Sequence, residues 1–344
     1  MNADSFLVAS RGAGAEHGLV RCAYQDDGWT RTTLTTIEQL SALAWHPRLP
    51  VVYGTAGVAK PGQVVAISVA DGAGRLISDQ LAGPAELEPC HLAVDPSGSV
   101  LIVTNYTSGQ LACWLLESDG SLAGEGHYVQ LQGSGPERER QEAAHPHQVV
   151  FQQRDDGIRA WVVDLGADLI REFEVFAGSG SVRLEELRTF PVPAGSGPRH
   201  LAEMPDGRLA ITGELGSNLL VLNPRDGQVQ SVPSTTRTGP ARTRHTRNYP
   251  GDIQLSLDGR HVYFANRGYD TISLFDVSGE APVLVTEQDS GVRWPQHILV
   301  REGEILVAGW DSSEVASLAT DGGGLGESRV KFAVPGPGWL LADL

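Results

Sequence analysis

His91-Leu-Ala-Val-Asp-Pro-Ser-Gly98, then Val100-Leu-Ile-Val-Thr-Asn-Tyr-Thr-Ser-Gly109, then Gln110-Leu-Ala-Cys-Trp114 is the stretch from which the fold can be read. A short apolar strand meets a Pro/Asp/Ser/Gly turn. A second apolar strand ends in a polar loop with glycine, and a third begins at once. β-branched and alternating apolar runs of this length, bounded by turn residues, form strands. The pattern recurs. Further first strands begin near Ser41 (SALAWHP), His147 (HQVVFQQ), His200 (HLAEMPDG), Asp252 (DIQLSLDG) and His297 (HILVREG), spaced 45 to 56 residues apart. That period suits one four-stranded blade per repeat of a β-propeller. No stretch carries a sustained helical period.

The two ends of the chain complete the count. Phe6-Leu-Val-Ala-Ser10 matches a second strand and Gly18-Leu-Val-Arg-Cys-Ala-Tyr24 a third, so this blade lacks its first strand. Gly338-Trp-Leu-Leu-Ala-Asp-Leu344 supplies it, with Trp339 where other blades have histidine. The expected fold is all-β: one domain over residues 1–344, a seven-bladed propeller of four-stranded antiparallel blades. Its first blade is closed by the C-terminal strand. Sharing a blade between the termini pairs strand edges that would otherwise be exposed.

Composition narrows the function. The 344 residues carry 26 Lys+Arg against 42 Asp+Glu, which argues against a nucleic-acid or membrane-surface binder that needs a basic face. An anionic small molecule can still bind in a local basic pocket. Cys22, Cys90 and Cys113 are odd in number and form no CxxC pattern, as expected in a reducing compartment. No signal-peptide pattern opens the chain and no apolar run nears a membrane span. The expectation is a soluble, cytoplasmic protein, a monomer or weak dimer.

The repeat also predicts where chemistry gathers. Residues just before each first strand, and the loops between second and third strands, are expected on one face of a propeller. The strand openers are His91, His147, His200 and His297, with His145 and Arg199 just upstream. The loops bring Asn105, Asp164, Asp168, Glu214, Asn266, Arg267 and Trp310 with Asp311. Two long entry loops accompany them, Gly133 to Ala144 and Pro233 to Pro250. The second carries Arg237, Arg242, Arg244, His245 and Arg247. Such loops serve as binding loops or lids, or are merely solvated flaps.

These residues together resemble the lactonase family of seven-bladed propellers. That family contains the propeller-type 6-phosphogluconolactonases and the fungal 3-carboxy-cis,cis-muconate lactonizing enzymes. The matching stretches run in order. They are Asn105-Tyr106 with Gly109, Arg140-Gln141 before His145-Pro146-His147, Asp164-Leu165-Gly166 with Asp168, and Gly195 to His200. Glu214-Leu215 follows, then Asp258-Gly259-Arg260 with Asn266-Arg267-Gly268. The resemblance implies an active site containing His147 (or its neighbour His145), Arg199, Glu214 and Arg267. One position departs. The family usually has Pro-Arg where this chain has Pro295-Gln296-His297, which leaves room for another lactone or a carboxylated substrate.

Lactone hydrolysis needs a base for water, donors for the oxyanion and an acid for the departing ring oxygen. Glu214 and His147 are the acid/base candidates, and Arg199 and Arg267 suit the oxyanion or an anionic group on the substrate. His145, His200, Asn105, Gln296 and His297 are candidates for substrate binding. The structural alternatives are plain: Arg267 can pair with Asp270 or Asp164, His91 and His297 can be supports, and Asp164 and Asp168 can hold turns. The axis positions are His and Arg rather than the oxygen ligands calcium needs, and no HExxH helix exists, so no metal or cofactor is expected. The leading function is hydrolysis of a sugar lactone, 6-phosphogluconolactone above others. A muconate-type cycloisomerase and a non-enzymatic binding scaffold are the alternatives.

Overall fold

Every first strand expected from the repeat is present in the computed structural model. The structure describes residues 5–25, 28–57, 61–83, 88–178, 180–237, 247–321 and 323–343. Seven four-stranded antiparallel sheets follow one another, which makes the fold a seven-bladed β-propeller. No helix occurs among the described residues. The first blade is closed by the last strand: Pro337–Ala342 pairs antiparallel with Ser5–Ser10, with Phe6 opposite Ala342 and Val8 opposite Leu340.

Burial falls off across each blade. The second strand Val100–Asn105 is buried at every residue, whereas in the fourth strand Leu122–Gln130 Leu122 alone is buried. A strand covered on both faces reads as a continuous apolar run, as Val100-Leu-Ile-Val does.

Contacts group the chain into two compact units. One comprises residues 11–20 and 33–194, and contains blades two to four. Its blades pack face to face: Tyr53, Val64 and Ala66 meet Leu92, Leu101, Val103 and Trp114. The other comprises residues 1–10, 21–32 and 195–344, and contains blades five to seven and most of blade one. There Ala210, Leu219 and Val221 pack on Val262, Phe264 and Phe275, and Ile272 and Leu274 pack on Ile305, Val307 and Leu318.

Proline marks the repeat more strictly than histidine does. First strands run Pro89–Val94, Pro146–Arg154, Pro198–Glu203, Tyr249–Leu255, Pro295–Arg301 and Pro337–Ala342. Proline suits the first residue of a strand because it has no N–H to offer the ladder. In blades three to seven the register shifts just after it, between Pro89 and His91, Pro146 and Gln148, Pro198 and Leu201, Pro250 and Ile253, and Pro295 and His297. Such β-bulges re-aim side chains. Counted from the proline, Cys90, His147, Arg199, Gly251, Gln296 and Gly338 are equivalent. His91, Gln148, His200, Asp252, His297 and Trp339 form the next position. The expected frame therefore needs one correction. His147 is not the counterpart of His91, His200 and His297 but of Arg199, one residue earlier in the blade.

Candidate active site

Blade five places two candidates beside each other. Pro198 faces Gly213 across the sheet, so Arg199 at the bulge lies next to Glu214, the first residue after Leu209–Gly213. The turn between them is held from both sides. Glu214 N–H donates to Gly197 O at 2.8 Å, and Leu215 N–H to Ser196 O at 3.0 Å. Gly197 has φ +56°, and a Cβ there would come within 2.4 Å of the Leu215 side chain. Only glycine takes this left-handed bend without strain or a clash.

The guanidinium groups of two blades converge on the Glu214 carboxylate. Arg267 Nη2 donates to Oε2 at 2.5 Å. Arg199 Nε lies 3.2 Å from the same oxygen, an ion-pair contact without hydrogen-bond alignment. All three side chains are buried, at 4% to 8% exposure. Arg267 is the last residue of the strand His261–Arg267 and is fastened on several sides. Its Nε donates to Tyr249 O at 3.0 Å, Nη2 to Pro250 O at 3.3 Å and Nη1 to Gln296 Oε1 at 3.3 Å. Its guanidinium carbon lies 5.3 Å from the centre of the Trp294 ring. Gly251 makes room for it, since a Cβ there would stand 3.0 Å from Arg267 Cδ. The expected alternative partners of Arg267 are occupied elsewhere: Asp270 accepts from Trp294 N–H, and Asp164 pairs with Arg171 at 2.8 Å.

Behind Arg199 lies a second polar group, buried throughout. His200 Nδ1 meets Asp252 Oδ1 at 2.9 Å, and Asp252 Oδ2 accepts from Ile298 N–H at 2.9 Å. His297 Nε2 lies 3.5 Å from Oδ2. Burial, then the Arg199 charge, pushes His200 down to about 4 against the pull of Asp252. Burial lowers His297 as well, against Asp252. Burial alone would raise Asp252, but His297, His200 and the Ile298 amide outweigh it and hold its carboxyl well below the usual range. Both imidazoles are neutral near pH 7 and the carboxylate between them is charged. A histidine depressed from 6.5 to about 4 binds a proton in the unfolded chain before it does in the folded one. Stability from this group is present above pH 6.5 and lost as pH falls toward 4. The melting temperature should drop between pH 7 and 4.5, and drop less in His200→Gln. Equal drops would remove His200 as a source of acid lability.

In the other unit, His145 and His147 separate in character. His145 is buried and stacks on Tyr106 at 4.5 Å. Its Nδ1 meets Tyr106 O at 2.8 Å and its Nε2 meets Glu142 Oε1 at 3.1 Å. Both ring nitrogens are thus engaged, and His145 braces its loop. His147 is half-buried, edge-on to Tyr106 at 5.7 Å. Arg140 donates to the Tyr106 hydroxyl at 3.2 Å, so the Gly133 to Ala144 loop is fastened here rather than swinging clear. Asp164 holds its turn by accepting from the His145 and Ala167 amides.

Three binding candidates lie inside the protein. Asn105 is fully buried and donates to Ala82 O, while His200 and His297 are 1% and 3% exposed. They support the chain around them; Gln296, half-buried against Arg267, remains at the site. Asp252 and Trp294 belong to the same constellation and were not singled out as site residues from the sequence. The signal was there for Asp252, which occupies the histidine position of its repeat. Of the second entry loop, Arg242, Arg244 and His245 lie outside the described residues. Arg247 donates to Leu215 O and lies over the Tyr249 ring at 5.6 Å. Among the described residues no group of three or more His, Cys, Asp or Glu is arranged to hold a metal.

Comparison with known proteins bears on this constellation. The family model described as "Lactonase, 7-bladed beta-propeller" matches residues 6–342. A 6-phosphogluconolactonase of Bacillus subtilis (strain 168) is 31% identical over 244 residues, covering 68% of this chain and 66% of that one. Two further curated relatives are matched over 53% and 61% of their lengths, so the chain spans about two thirds or less of these relatives. A solved protein from Lactobacillus plantarum superposes with TM-score 0.85 at 23% identity, over 99% of both chains. A periplasmic gluconolactonase of Pseudomonas aeruginosa gives 0.81 at 23%, over 98% of this chain and 99% of that one. At these identities the two structures show the shared fold alone.

Proposed function

Because the chain belongs to the lactonase family of seven-bladed β-propellers, we propose that it hydrolyses the internal ester of a sugar lactone, 6-phosphogluconolactone first among them. The observation that carries this reading is the buried Glu214 carboxylate gripped by Arg199 and Arg267. Relatives named 6-phosphogluconolactonase support the substrate.

The reaction follows from what these groups can do. Both arginines reach Oε2, and Oε1 is the oxygen we assign to water. Glu214 takes a proton from water as the hydroxide oxygen bonds to the lactone carbonyl carbon. The carbonyl π electrons move onto its oxygen. Arg199 and Arg267 carry positive charge and N–H donors that stabilise this oxyanion, in a water-poor setting where such groups count most. Collapse of the tetrahedral intermediate breaks the bond to the ring oxygen. Glu214 returns its proton to that oxygen, and the ring opens to the hydroxy acid. A single carboxylate thus serves as base and then acid. His147, in the other unit, is not required by this scheme. Gln296 accepts from Arg267, so it orients the guanidinium without adding charge.

A substrate panel tests the reading. Purified protein is given 6-phosphogluconolactone, unphosphorylated gluconolactone and 3-carboxy-cis,cis-muconate, with spontaneous hydrolysis subtracted. Fastest turnover of the phosphorylated lactone is expected, unchanged by a chelator. Turnover of carboxymuconate alone would mean a cycloisomerase, and no turnover of any of the three would mean a binding scaffold.

A further inference from the structure

We propose that Asp252 is a positioning residue: it sets the tautomer of His200, and through His200 it orients Arg199 against Glu214. The proposal rests on the lactonase reading for its kinetic consequence but not for its structural one.

The geometry is a chain of contacts through equivalent positions of neighbouring blades. His200, Asp252, His297 and Trp339 each stand two residues after the blade proline, in blades five, six, seven and one. Leu340 N–H points at His297 Nδ1 at 3.3 Å. A backbone amide can only donate, so Nδ1 is the acceptor and the His297 proton sits on Nε2, toward Asp252. The Trp339 ring covers His297 at 3.9 Å between ring centres. Asp252 accepts the Ile298 amide at 2.9 Å and Gln254 Nε2 at 3.4 Å on Oδ2, and His200 on Oδ1, while His297 Nε2 faces Oδ2 from 3.5 Å without hydrogen-bond alignment. A carboxylate cannot donate, so His200 carries its proton on Nδ1. Its Nε2 lone pair then points at Arg199 Nη1, 3.5 Å away. Arg199 is held at that end while its Nε faces Glu214 at 3.2 Å. The closing strand thereby reaches the Glu214 carboxylate through contacts of four side chains, His297, Asp252, His200 and Arg199, and the donor direction at each of the two imidazoles is fixed by its neighbours.

No step of the lactonase scheme consumes this group. Asp252 and His200 are each 1% exposed and cannot touch a substrate. A charged carboxylate in such a place costs free energy unless several donors meet it, and His200, Ile298 and Gln254 do so here. The direction of the donors, more than the bonds themselves, is what reaches Arg199.

Asp252→Asn tests this with little change of shape. The Ile298 amide cannot reverse, so the asparagine oxygen must stay with it and the NH2 group must face His200 Nδ1. His200 must then move its proton to Nε2, donor against donor with Arg199. Selective 15N-histidine labelling should show the His200 proton on Nδ1 in the parent protein and on Nε2 in Asp252→Asn. On 6-phosphogluconolactone kcat should fall about 100-fold, less than the roughly 10⁴-fold seen where the misprotonated histidine is itself the catalytic base, with KM within about threefold. A folded Asp252→Asn protein with parental kcat, or with His200 still protonated on Nδ1, overturns the proposal. If that variant does not fold, His200→Gln and His200→Asn decide. The glutamine amide reaches toward Arg199 and the shorter asparagine only toward Asp252, so glutamine should retain about tenfold more kcat; equal loss overturns the proposal. If the parent protein hydrolyses no lactone, the lactonase reading fails, while the tautomer measurement needs no substrate and still decides the positioning claim.

Discussion

Glu214→Gln should slow lactone hydrolysis about 10³-fold, the middle of the range for removing a general acid–base group. The substitution keeps the shape of the side chain and removes only its capacity to take and return a proton. It also removes the negative charge between two guanidinium groups. Arg267 Nη2 at 2.5 Å and Arg199 Nε at 3.2 Å would then share one amide oxygen. Part of the effect should therefore appear as lost stability, visible as a lower melting temperature beside the fall in kcat. The two are separable, because kcat is read from the folded fraction at saturating substrate. A fall of less than tenfold would remove Glu214 from the reaction and return it to a structural ion pair.

Arg267→Ala should cost about 3–5 kcal/mol of stability, the usual penalty for removing one partner of a buried pair. The loss has several parts. Glu214 loses its shorter arginine contact and keeps the longer one to Arg199, the Tyr249 and Pro250 carbonyls and Gln296 Oε1 lose a donor, and Trp294 loses the cation near its ring. Gly251, which accommodates the arginine stem, would border the resulting gap. Urea unfolding measures the cost. The double variant Arg267→Leu with Glu214→Leu should recover much of it, since replacing both charges by apolar groups strands neither. Both proteins should be inactive. If Arg267→Ala were as stable as the parent, the pair would be solvated in solution and the account of a water-poor site would fail.

The sequence foretold the scaffold more closely than the site. Strand identity is a local matter. Alternation, β-branched runs and turn residues sit within ten residues of one another, and backbone pairing follows from them. Hence the seven blades, the closure of Ser5–Ser10 by Pro337–Ala342, and the gathering of Arg199 near Glu214 were all readable. The frame around His147 was not, because a β-bulge moves a side chain without leaving a mark on hydrophobic pattern. The proline before each bulge was the mark available.

What remained for the tertiary structure was choice of partner. The sequence offered Arg267 two aspartates, Asp270 and Asp164. The fold assigns it Glu214, 53 residues away, because Gly251 clears its path and Asp270 is spent on Trp294. Likewise His200 and His297 looked like parallel binding residues, and only packing shows them facing the same carboxylate under Trp339. Pairing across blades depends on distances of a few tenths of an ångström and on which donors cannot turn. Those are set when neighbouring blades pack, not by the order of residues along one strand.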